Sequence, residues 1–345
     1  MIRASRISGL VFALLTTLGE GRASFAQTEF PFELHNPRIF GESAELGLPF
    51  EAAVARDGSL IVIDWAVQQL LSFSQTGQLQ WRSGRKGSGP GEFQQPYRVV
   101  PLADGAILVY DLSKPGLTRL NAEGTYRDEV RLDVVFRDVS TMIGLRDGGL
   151  AVAGLASPGS PADTNAAVHI FDKEFRSVRS FGPLPTVLNR AVLQDWGVGA
   201  VTLVADGSLV FTRRHPYEIY HFTPEGRELS VVRSTLPIVG TPDEELTITT
   251  NGTKTTRRVN PKVTLLRPAV MLANGSYLCG RIDPGYSTLD LFAPDGRILG
   301  VRKLPDDWKG PVKYDAIRNT LWAFALRDEA PVLLRYTPPE RKPNQ

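Results

Sequence analysis

Cationic and aromatic side chains recur at one kind of position in the chain, in polar loops that follow runs of apolar, β-forming residues. An arginine guanidinium presents a fork of donors that suits a carboxylate or a phosphate, whereas aromatic rings suit sugars and peptide side chains. The residues predicted on this basis to bind a ligand are Trp65, Lys114, Arg213, Arg214, His215, Tyr217, Arg281, Tyr286 and Arg327. They predict an anionic or carbohydrate-like ligand, or a protein or peptide partner. The alternative interpretation is a set of solvated loop charges paired with nearby acids.

Acidic side chains stand at the ends of several of the same apolar runs. Asp64, Asp111 and Asp283 each follow such a run directly. An aspartate at the end of a strand readily accepts hydrogen bonds from the backbone amides of a neighbouring loop. We therefore favour this capping role for Asp64 and Asp111 over a role in binding.

The loops recur because the chain consists of six copies of one unit. Each copy starts with a tight-turn signal followed by an apolar run, and the turn residues are Asp57, Asp104, Asp147, Asp206, Asn274 and Asn319. All but Asn319 precede a glycine, and their separations are 47, 43, 59, 68 and 45 residues. Asp-Gly and Asn-Gly supply the positive φ values that a tight hairpin needs. A further pair of apolar runs around a second turn completes each unit, and such four-stranded repeats are typical of propeller blades.

The sixth copy lacks a fourth strand, because it ends near Tyr336 after three. A strand-like segment from Phe32 to Gly41 precedes the first blade and has no blade of its own. We predict that this segment is the outer strand of blade six, so that the ring closes without open edges. The sequence therefore predicts an all-β, six-bladed propeller of four-stranded antiparallel blades over residues 27–338. A free N-terminal arm is the alternative.

The segment between the first two blades is rich in glycine. Its glycines, phenylalanine and proline resemble the linker of NHL repeats, and they are Gly87, Gly89, Gly91, Phe93 and Pro96. The following run 105–111, "GAILVYD", and the run 58–64, "GSLIVID", are similar to the strand of the same family, although its usual Asn-Arg-Ile is absent. The resemblance extends over residues 55–132 and implies a propeller fold. NHL-like propellers include protein-binding, RNA-binding and enzymatic members, so it implies no single function.

In a four-stranded blade, the first and third turns lie on one face of the ring, and the second turn and the linker to the next blade lie on the other. The short glycine turns are the first and third, so the longer segments share the opposite face, which we call the loop-rich rim. Long loops on a rigid scaffold commonly carry binding residues. We expect the ligand or partner there. An insertion at 236–268, with a hairpin around Asn251-Gly252, and Trp196 in the linker after blade three belong to the same rim.

Metal-dependent catalysis is the alternative function. A lactonase-like hydrolase or lyase would use an axial metal, with His215 or an aspartate as the base. The four histidines, His35, His169, His215 and His221, show no His-x-x-x-His spacing, and blades three, four and six lack the expected acids. Strand-end aspartates could still hold Ca²⁺. We predict no catalytic residues, no resident cofactor and a binding module, with the enzyme as the alternative.

The start of the chain has the features of an export signal. A basic region with Arg3 and Arg6, a short apolar run at 9–18 and the small residues around Ala26 predict a signal peptide over 1–26. An N-terminal anchor helix is the alternative. The single cysteine, Cys279, allows no internal disulfide and is predicted to be a core thiol. A net charge of +2 gives no case for nucleic acid. We expect a periplasmic or secreted monomer with a disordered tail at 339–345 and no other membrane span.

Overall fold

The computed structural model describes residues 30, 32, 37–40, 46–185, 198–214, 216–236, 246–250, 253–257, 265–283, 286–308, 313–315 and 318–337. The predicted signal at 1–26, the tail at 339–345, Trp196 and His215 lie outside these residues. The described part contains strands, turns and bends, and it has no helix of the length and apolar character needed to cross a membrane.

Six four-stranded antiparallel sheets follow one another along the chain, as the repeat predicts. Blade one is β2 (Pro49–Val54), β3 (Leu60–Asp64), β4 (Gln69–Phe73) and β5 (Leu79–Ser83), and blade two is β6 (Pro96–Pro101), β7 (Ile107–Asp111), β8 (Leu117–Leu120) and β9 (Tyr126–Val130). Blade three is β10 (Phe136–Gly144), β11 (Leu150–Ala156), β12 (Ala166–Phe171) and β13 (Ser177–Pro183), and blade four is β14 (Gly199–Leu203), β15 (Leu209–Arg213), β16 (Glu218–Phe222) and β17 (Glu228–Arg233). Blade five is β20 (Leu265–Met271), β21 (Tyr277–Asp283), β22 (Tyr286–Phe292) and β23 (Ile298–Lys303). Blade six is β24 (Lys313–Asp315), β25 (Thr320–Arg327), β26 (Ala330–Tyr336) and β1 (Arg38–Phe40).

The first turns have the conformation that their sequences require. The five glycines that follow the turn residues have φ between 81° and 96°, and they are Gly58, Gly105, Gly148, Gly207 and Gly275. The sixth turn lacks a glycine, and there Asn319 itself adopts a φ of 50°. Asparagine tolerates this left-handed region better than most side chains. The turn therefore forms despite its weak sequence signal.

The N-terminal strand closes the ring, which confirms the predicted six-bladed closure. β1 pairs antiparallel with β26, with Arg38 opposite Arg335 and Phe40 opposite Leu333. Within the described part of the predicted segment Phe32 to Gly41, the residues that lie in the sheet are Arg38–Phe40. Phe32, which is fully buried, packs edge-on against Tyr314 of blade six. The N-terminal segment is thus tied to the last blade by its backbone and by its side chains.

One contact recurs between the outer strand of a blade and the third turn of the next blade. An aromatic ring lies over the turn glycine so closely that a Cβ there would be 2.7 Å from Trp81 at Gly124 and 2.4 Å from Phe181 at Gly226. Phe40 of the closing strand lies over Gly77 of blade one in the same way. The N-terminal strand therefore joins blades six and one by the contact that joins other neighbouring blades.

The apolar core lies between adjacent blades. One buried cluster combines Ile61 and Ile63 of blade one with Val99 and Val109 of blade two, and another combines blades six and one. A single blade has two apolar faces and cannot bury both by itself, so each blade is stabilised by its two neighbours.

The insertion between blades four and five contains the predicted hairpin. β18 (Leu246–Thr250) and β19 (Thr253–Arg257) pair antiparallel around Asn251-Gly252, which lies outside the described residues. The insertion ends earlier than the predicted Pro268, because the inner strand β20 already begins at Leu265. Pro268 lies at a bulge in β20, where a strand tolerates the missing N–H.

Candidate functional site

A cavity of about 570 Å³ lies on the propeller axis and is bounded by the inner strands of all six blades. Its lining runs from Glu51 to Arg56 in blade one, and equivalent segments of the other blades complete it. The lining includes residues of the first turns, such as Ala103 and Ala205, and none of the loops of the opposite rim. The cavity therefore opens at the rim of the short Asp-Gly turns, opposite the predicted loop-rich rim.

The floor of the cavity is set by one position of the repeat. Glu51, Arg98, Thr141 and Pro268 each stand four residues before the residue that opens the first turn of their blade. In each of these strands a β-bulge immediately precedes or includes that position. Bulges re-aim side chains, and they are common beside functional sites. The repeat thus places side chains from separate blades in one layer around the axis.

Glu51 forms ion pairs with two cationic side chains at this floor. Its carboxylate lies 2.5 Å from Nζ of Lys313 and 3.5 Å from a guanidinium nitrogen of Arg98, and all three side chains are largely buried. Burial by itself would raise the pKa of Glu51, but attraction by Lys313 and Arg98 outweighs it, and the pKa is lowered from 4.5. Arg98 also donates to the carbonyl oxygens of Ser140 and Tyr97, which fixes its position.

Further charges lie beneath the floor. Burial raises the pKa of Asp138, despite a hydrogen bond from Ser140 and the positive charges of Arg214 and Arg98. Burial also lowers the pKa of Arg214 to about 10 and lowers that of Arg267, on which the charges of Glu51 and Arg98 also act. Among the described residues, these electrostatic interactions connect four cationic side chains, Arg98, Arg214, Arg267 and Lys313, with two acidic ones, Glu51 and Asp138.

The walls above the floor are apolar. Ala53, Ile143, Leu203 and Val270 line the cavity and remain partly exposed to it. The site thus combines a charged floor with hydrophobic walls, which is the usual construction of a small-molecule pocket.

The ion pairs of Glu51 predict a dependence of stability on acid pH. Because the folded pKa is lowered, these pairs stabilise the fold fully at neutral pH, and the stabilisation is lost as the pH falls through the folded pKa. We expect Glu51→Gln to lower the free energy of unfolding by about 1–3 kcal/mol at pH 7, and the difference from the wild type to shrink below pH 4.5. Urea unfolding at several pH values measures this.

Glu129→Gln is the matched control for this prediction. Glu129 also pairs with a lysine, Lys114, at 3.3 Å, but its side chain is 42% exposed. Exposed pairs contribute little to stability, so we expect a change of less than about 1 kcal/mol. Equal losses in the two variants, or a constant difference for Glu51→Gln at all pH values, would contradict the assignment.

Three of the predicted ligand-binding residues are held inside the blades. Arg213 pairs with Glu218 of the neighbouring strand, Arg281 forms a buried pair with Asp290 at 2.8 Å, and Tyr217 is only 3% exposed. Each of these side chains contacts its own or an adjacent blade and not the axial cavity. Arg213 and Arg281 thus agree with the alternative interpretation of charges paired with nearby acids, because Glu218 and Asp290 lie five and nine residues further along the chain, on the next strand.

Two further predicted residues, Lys114 and Arg327, lie toward the loop-rich rim. Lys114 is bound to the linker through the carbonyl oxygen of Gly89 and to Glu129. Arg327 pairs with Asp307 at 3.1 Å and is 46% exposed. Tyr286 is the first residue of β22, and its side chain is not among those that the structure describes. His215 lies outside the described residues.

Two predicted residues approach the cavity floor from the loop-rich side. The ring of Trp65 stacks on Phe50, with centroids 4.9 Å apart, and Phe50 contacts Tyr97 at 5.4 Å. Arg98 lies over the Tyr97 ring at 3.8 Å, and Arg214 interacts electrostatically with Asp138 and Arg98. The structure thus brings Trp65 and Arg214 to the underside of the floor.

The strand-end aspartates have the predicted capping role. Asp64 accepts backbone hydrogen bonds from Gly47, Leu48 and Ala66 at 2.7–3.1 Å. The carboxylate of Asp111 accepts equivalent bonds from Gln94, Gln95 and Ser113. Both side chains are fully buried and engaged by the linker before the blade and by the loop after the strand.

The reactive residue types outside the cavity have structural partners. Cys279 is fully buried, as predicted, and burial raises the pKa of its thiol to about 12. His169 is buried and bonds Ser180, and His221 contacts the hydroxyl of Ser208, which also bonds Asp206 in a turn. Within the described residues, no three His, Cys, Asp or Glu side chains lie close enough together to hold a metal ion.

The loop-rich rim carries exposed apolar side chains, which are Leu48, Val67, Leu112, Val135 and Leu326. All five stand in linkers or second turns or at the ends of strands next to them, and Val135 is 67% exposed. Exposed apolar groups of this kind are common at protein contacts. A partner at this rim stays a prediction.

The fold and the axial cavity define the chain as a six-bladed β-propeller. A family model described as a 6-bladed beta-propeller matches residues 52–190. No curated protein sequence matches the chain significantly.

Solved structures of the same fold come from proteins with different activities. A Bacteroides fragilis protein described as a candidate exported protein is 12% identical, with a TM-score of 0.57 over 88% of this chain and 95% of its own. A streptogramin B lyase is 13% identical, with a TM-score of 0.51 over 88% of this chain and 98% of its own. A gluconolactonase from Xanthomonas campestris is 14% identical, with a TM-score of 0.51 over 90% and 96%. At these identities the similarity shows the fold alone.

Proposed function

We propose that the chain is an exported, NHL-like propeller that acts as a binding module, and that its axial cavity takes a small molecule. The observation that carries this proposal is the cavity itself, about 570 Å³ in volume, with apolar walls and a charged floor. The sequence features of a signal peptide and the similarity to a candidate exported protein support export. The loop-rich rim, with its exposed apolar side chains, remains the proposed surface for a protein partner.

The alternative of a metal-dependent hydrolase or lyase receives less support from the described residues. Such an enzyme needs several carboxylates or histidines that converge at the axis. Among the described residues, the acids near the axis are Glu51, which two cations already engage, Asp138, which Ser140 and Arg214 approach, and Asp315, which pairs with Arg318. The excess of cationic side chains at the same place favours binding of a ligand over binding of a metal ion.

A neutral fluorescent probe tests whether the cavity binds small molecules. We expect N-phenyl-1-naphthylamine to bind with a large rise in fluorescence, and Ala53→Trp to abolish this binding, because Ala53 lines the cavity and an indole ring at this position would fill the space that the probe needs. Ala122→Trp places the same ring in an exposed turn of blade two and serves as the control. Fluorescence titration with both variants measures the effect.

The outcome separates cavity binding from surface binding. If the probe does not bind, or if it binds equally well to Ala53→Trp and Ala122→Trp, the cavity is not a binding site and the proposal is wrong. Circular dichroism and thermal unfolding show whether each variant is folded.

A further inference from the structure

We propose that the ligand of the cavity is a single-chain amphiphile with a carboxylate head, which Arg56 and Arg146 hold at the mouth while its apolar chain extends inward along the walls. This inference rests on the proposed function, since it concerns the same cavity. It adds the chemical class of the ligand and its orientation.

Two arginines line the mouth of the cavity at one position of the repeat. Arg56 and Arg146 each directly precede the aspartate of a first turn, in blades one and three, and both belong to the cavity lining. Both are exposed to solvent. The lining residues at the same position of blades two and four are Ala103 and Ala205, whose small side chains leave space for a ligand. The mouth therefore combines two cationic side chains with room beside them.

The guanidinium groups of both arginines keep donors for a ligand. Arg56 donates to the carbonyl oxygen of Ala103 in the next blade at 3.3 Å. Arg146 lies beside the first turn of the blade that follows its own, where a Cβ at Gly207 would be 3.7 Å from its Cδ. Within the described part of the chain, Arg146 makes no side-chain hydrogen bond or ion pair, and Arg56 makes no ion pair. A bidentate contact with a carboxylate suits such groups.

The acids close to these arginines along the rim and in the wall have other contacts. Asp57 and Asp147 each accept a hydrogen bond from a backbone N–H of their own turn, and neither is part of the cavity lining. Asp315, the acid of the wall in blade six, is buried and pairs with Arg318 at 3.0 Å. A carboxylate head therefore meets the mouth arginines without displacing an acid from them.

The walls suit an extended apolar chain. Side chains alternate along an inner strand, so that Ala53 and Ala55 of blade one and Ile143 of blade three line the cavity above the floor and are partly exposed to it. Arg56 of the mouth follows Glu51 of the floor by five residues. At the rise of a strand this spacing corresponds to a depth of roughly 15 Å. The apolar surface thus continues from the mouth into the ring.

The floor suits the head group less well than the mouth does. Lys313 and Arg98 already engage the carboxylate of Glu51, and Arg98 also donates to the carbonyl oxygens of Ser140 and Tyr97. A second carboxylate at the floor would compete with Glu51 for the same cations, and a buried carboxylate that loses its partners is costly. We therefore place the head at the mouth and the end of the chain above the floor.

Displacement of the neutral probe by ligands with one chain and two different heads tests the inference. Wild-type protein with bound N-phenyl-1-naphthylamine is titrated with decanoate and with decyltrimethylammonium, both below the concentration at which they form micelles. We expect decanoate to displace the probe at a concentration at least about tenfold lower at low salt, and the difference to shrink as salt screens the charges. Octanoate should bind roughly tenfold more weakly than decanoate, because each buried methylene contributes a factor of about three to four.

A double variant tests the two residues that hold the head. Arg56→Gln combined with Arg146→Gln should weaken decanoate binding by roughly ten- to a hundredfold and leave the affinity for N-phenyl-1-naphthylamine unchanged. Arg56→Lys combined with Arg146→Lys keeps both charges and should restore part of the decanoate affinity. The matched control, Arg127→Gln combined with Arg179→Gln, removes two exposed arginines from outer strands and should change neither affinity.

The possible failures are distinguishable. Equal displacement by decanoate and decyltrimethylammonium, or an equal loss of decanoate affinity in the mouth variant and its control, overturns the position of the head but leaves the cavity as a binding site. Equal affinities for octanoate and decanoate overturn the position of the chain. A neutral probe that does not bind, or that binds Ala53→Trp normally, overturns the proposed function itself. Thermal unfolding shows whether each variant is folded.

Discussion

Replacing Asp111 with alanine is expected to lower the free energy of unfolding by about 3–5 kcal/mol. The carboxylate is fully buried and accepts backbone hydrogen bonds from Gln94, Gln95 and Ser113. Hydrogen bonds to a charged group contribute roughly 1.5–3 kcal/mol each, and donors left unsatisfied in a buried place add the penalty of desolvation. Because the three donors belong to two different loops, the variant loosens the linker between blades one and two as well as the turn after β7.

Chemical denaturation of two further variants checks this expectation. Asp104→Ala removes an aspartate from the same blade that accepts a bond from Ala106 in an exposed turn, and we expect a loss of less than about 1 kcal/mol. Asp111→Asn keeps one acceptor oxygen and should lie between alanine and wild type. If Asp104→Ala and Asp111→Ala destabilise the protein equally, the cap at Asp111 does not stabilise the fold in the way that its hydrogen bonds suggest.

Phe40→Ala is expected to have an effect of similar size, about 3–5 kcal/mol, as for other buried phenylalanines. Phe40 belongs to a strand of only three residues, and its ring contacts Trp322 with centroids 5.3 Å apart. It also lies over Gly77 of the first blade. The side chain thus stabilises both the outer strand of blade six and the junction with blade one.

The neighbouring residue provides the control for Phe40. Ile39 stands in the same strand and is 40% exposed, so Ile39→Ala should change the free energy of unfolding by less than about 1 kcal/mol. Hydrogen exchange of the β26 amides should accelerate in Phe40→Ala and not in Ile39→Ala, because β1 covers that edge. Similar exchange in both variants would mean that the closing strand is held by its backbone alone.

The sequence allowed the prediction of the scaffold because its signals are local and repeated. A turn such as Asp57-Gly58 needs only two residues to be recognised, and five such turns, with a sixth at Asn319 that lacks glycine, mark the blades at separations of 43 to 68 residues. The caps at Asp64 and Asp111 were predictable for the same reason, since a strand-end aspartate acts on nearby amides. The closing strand followed from counting strands in the last copy.

The cavity was not predicted, because each blade contributes only one side chain to its floor. Glu51, Arg98 and Lys313 are unremarkable within their own strands, and they meet only around the axis. Alignment of the inner strands on the first turns would have placed Glu51 and Arg98 at one position. Pro268 of the floor was hidden further, because the predicted insertion at 236–268 includes it, although the strand begins at Leu265.

The choice of rim was guided by loop length, and this criterion does not detect a cavity between strands. Short turns leave the axis open, whereas the side chains of Trp65, Phe50 and Tyr97 stack beneath the floor on the opposite side. The long loops therefore lie at the end of the axis where these stacked side chains are found. The residue types alone do not show whether Arg213 and Arg281 bind a ligand or an acid, and the strand pairing decides this, because it brings Glu218 and Asp290 of the next strand to them.

Arg38 pairs with Arg335, which is 297 residues further along the chain. This pairing has a consequence for how the protein folds during its synthesis. The ribosome makes β1 before the strands of the first five blades and its partner β26 after them, so five blades can assemble while β1 has no partner. During this interval β1 can pair with the exposed edge of a wrong sheet, in the same chain or in a neighbouring one. The short length of β1 limits such errors, and the ring closes only after β26 has left the ribosome.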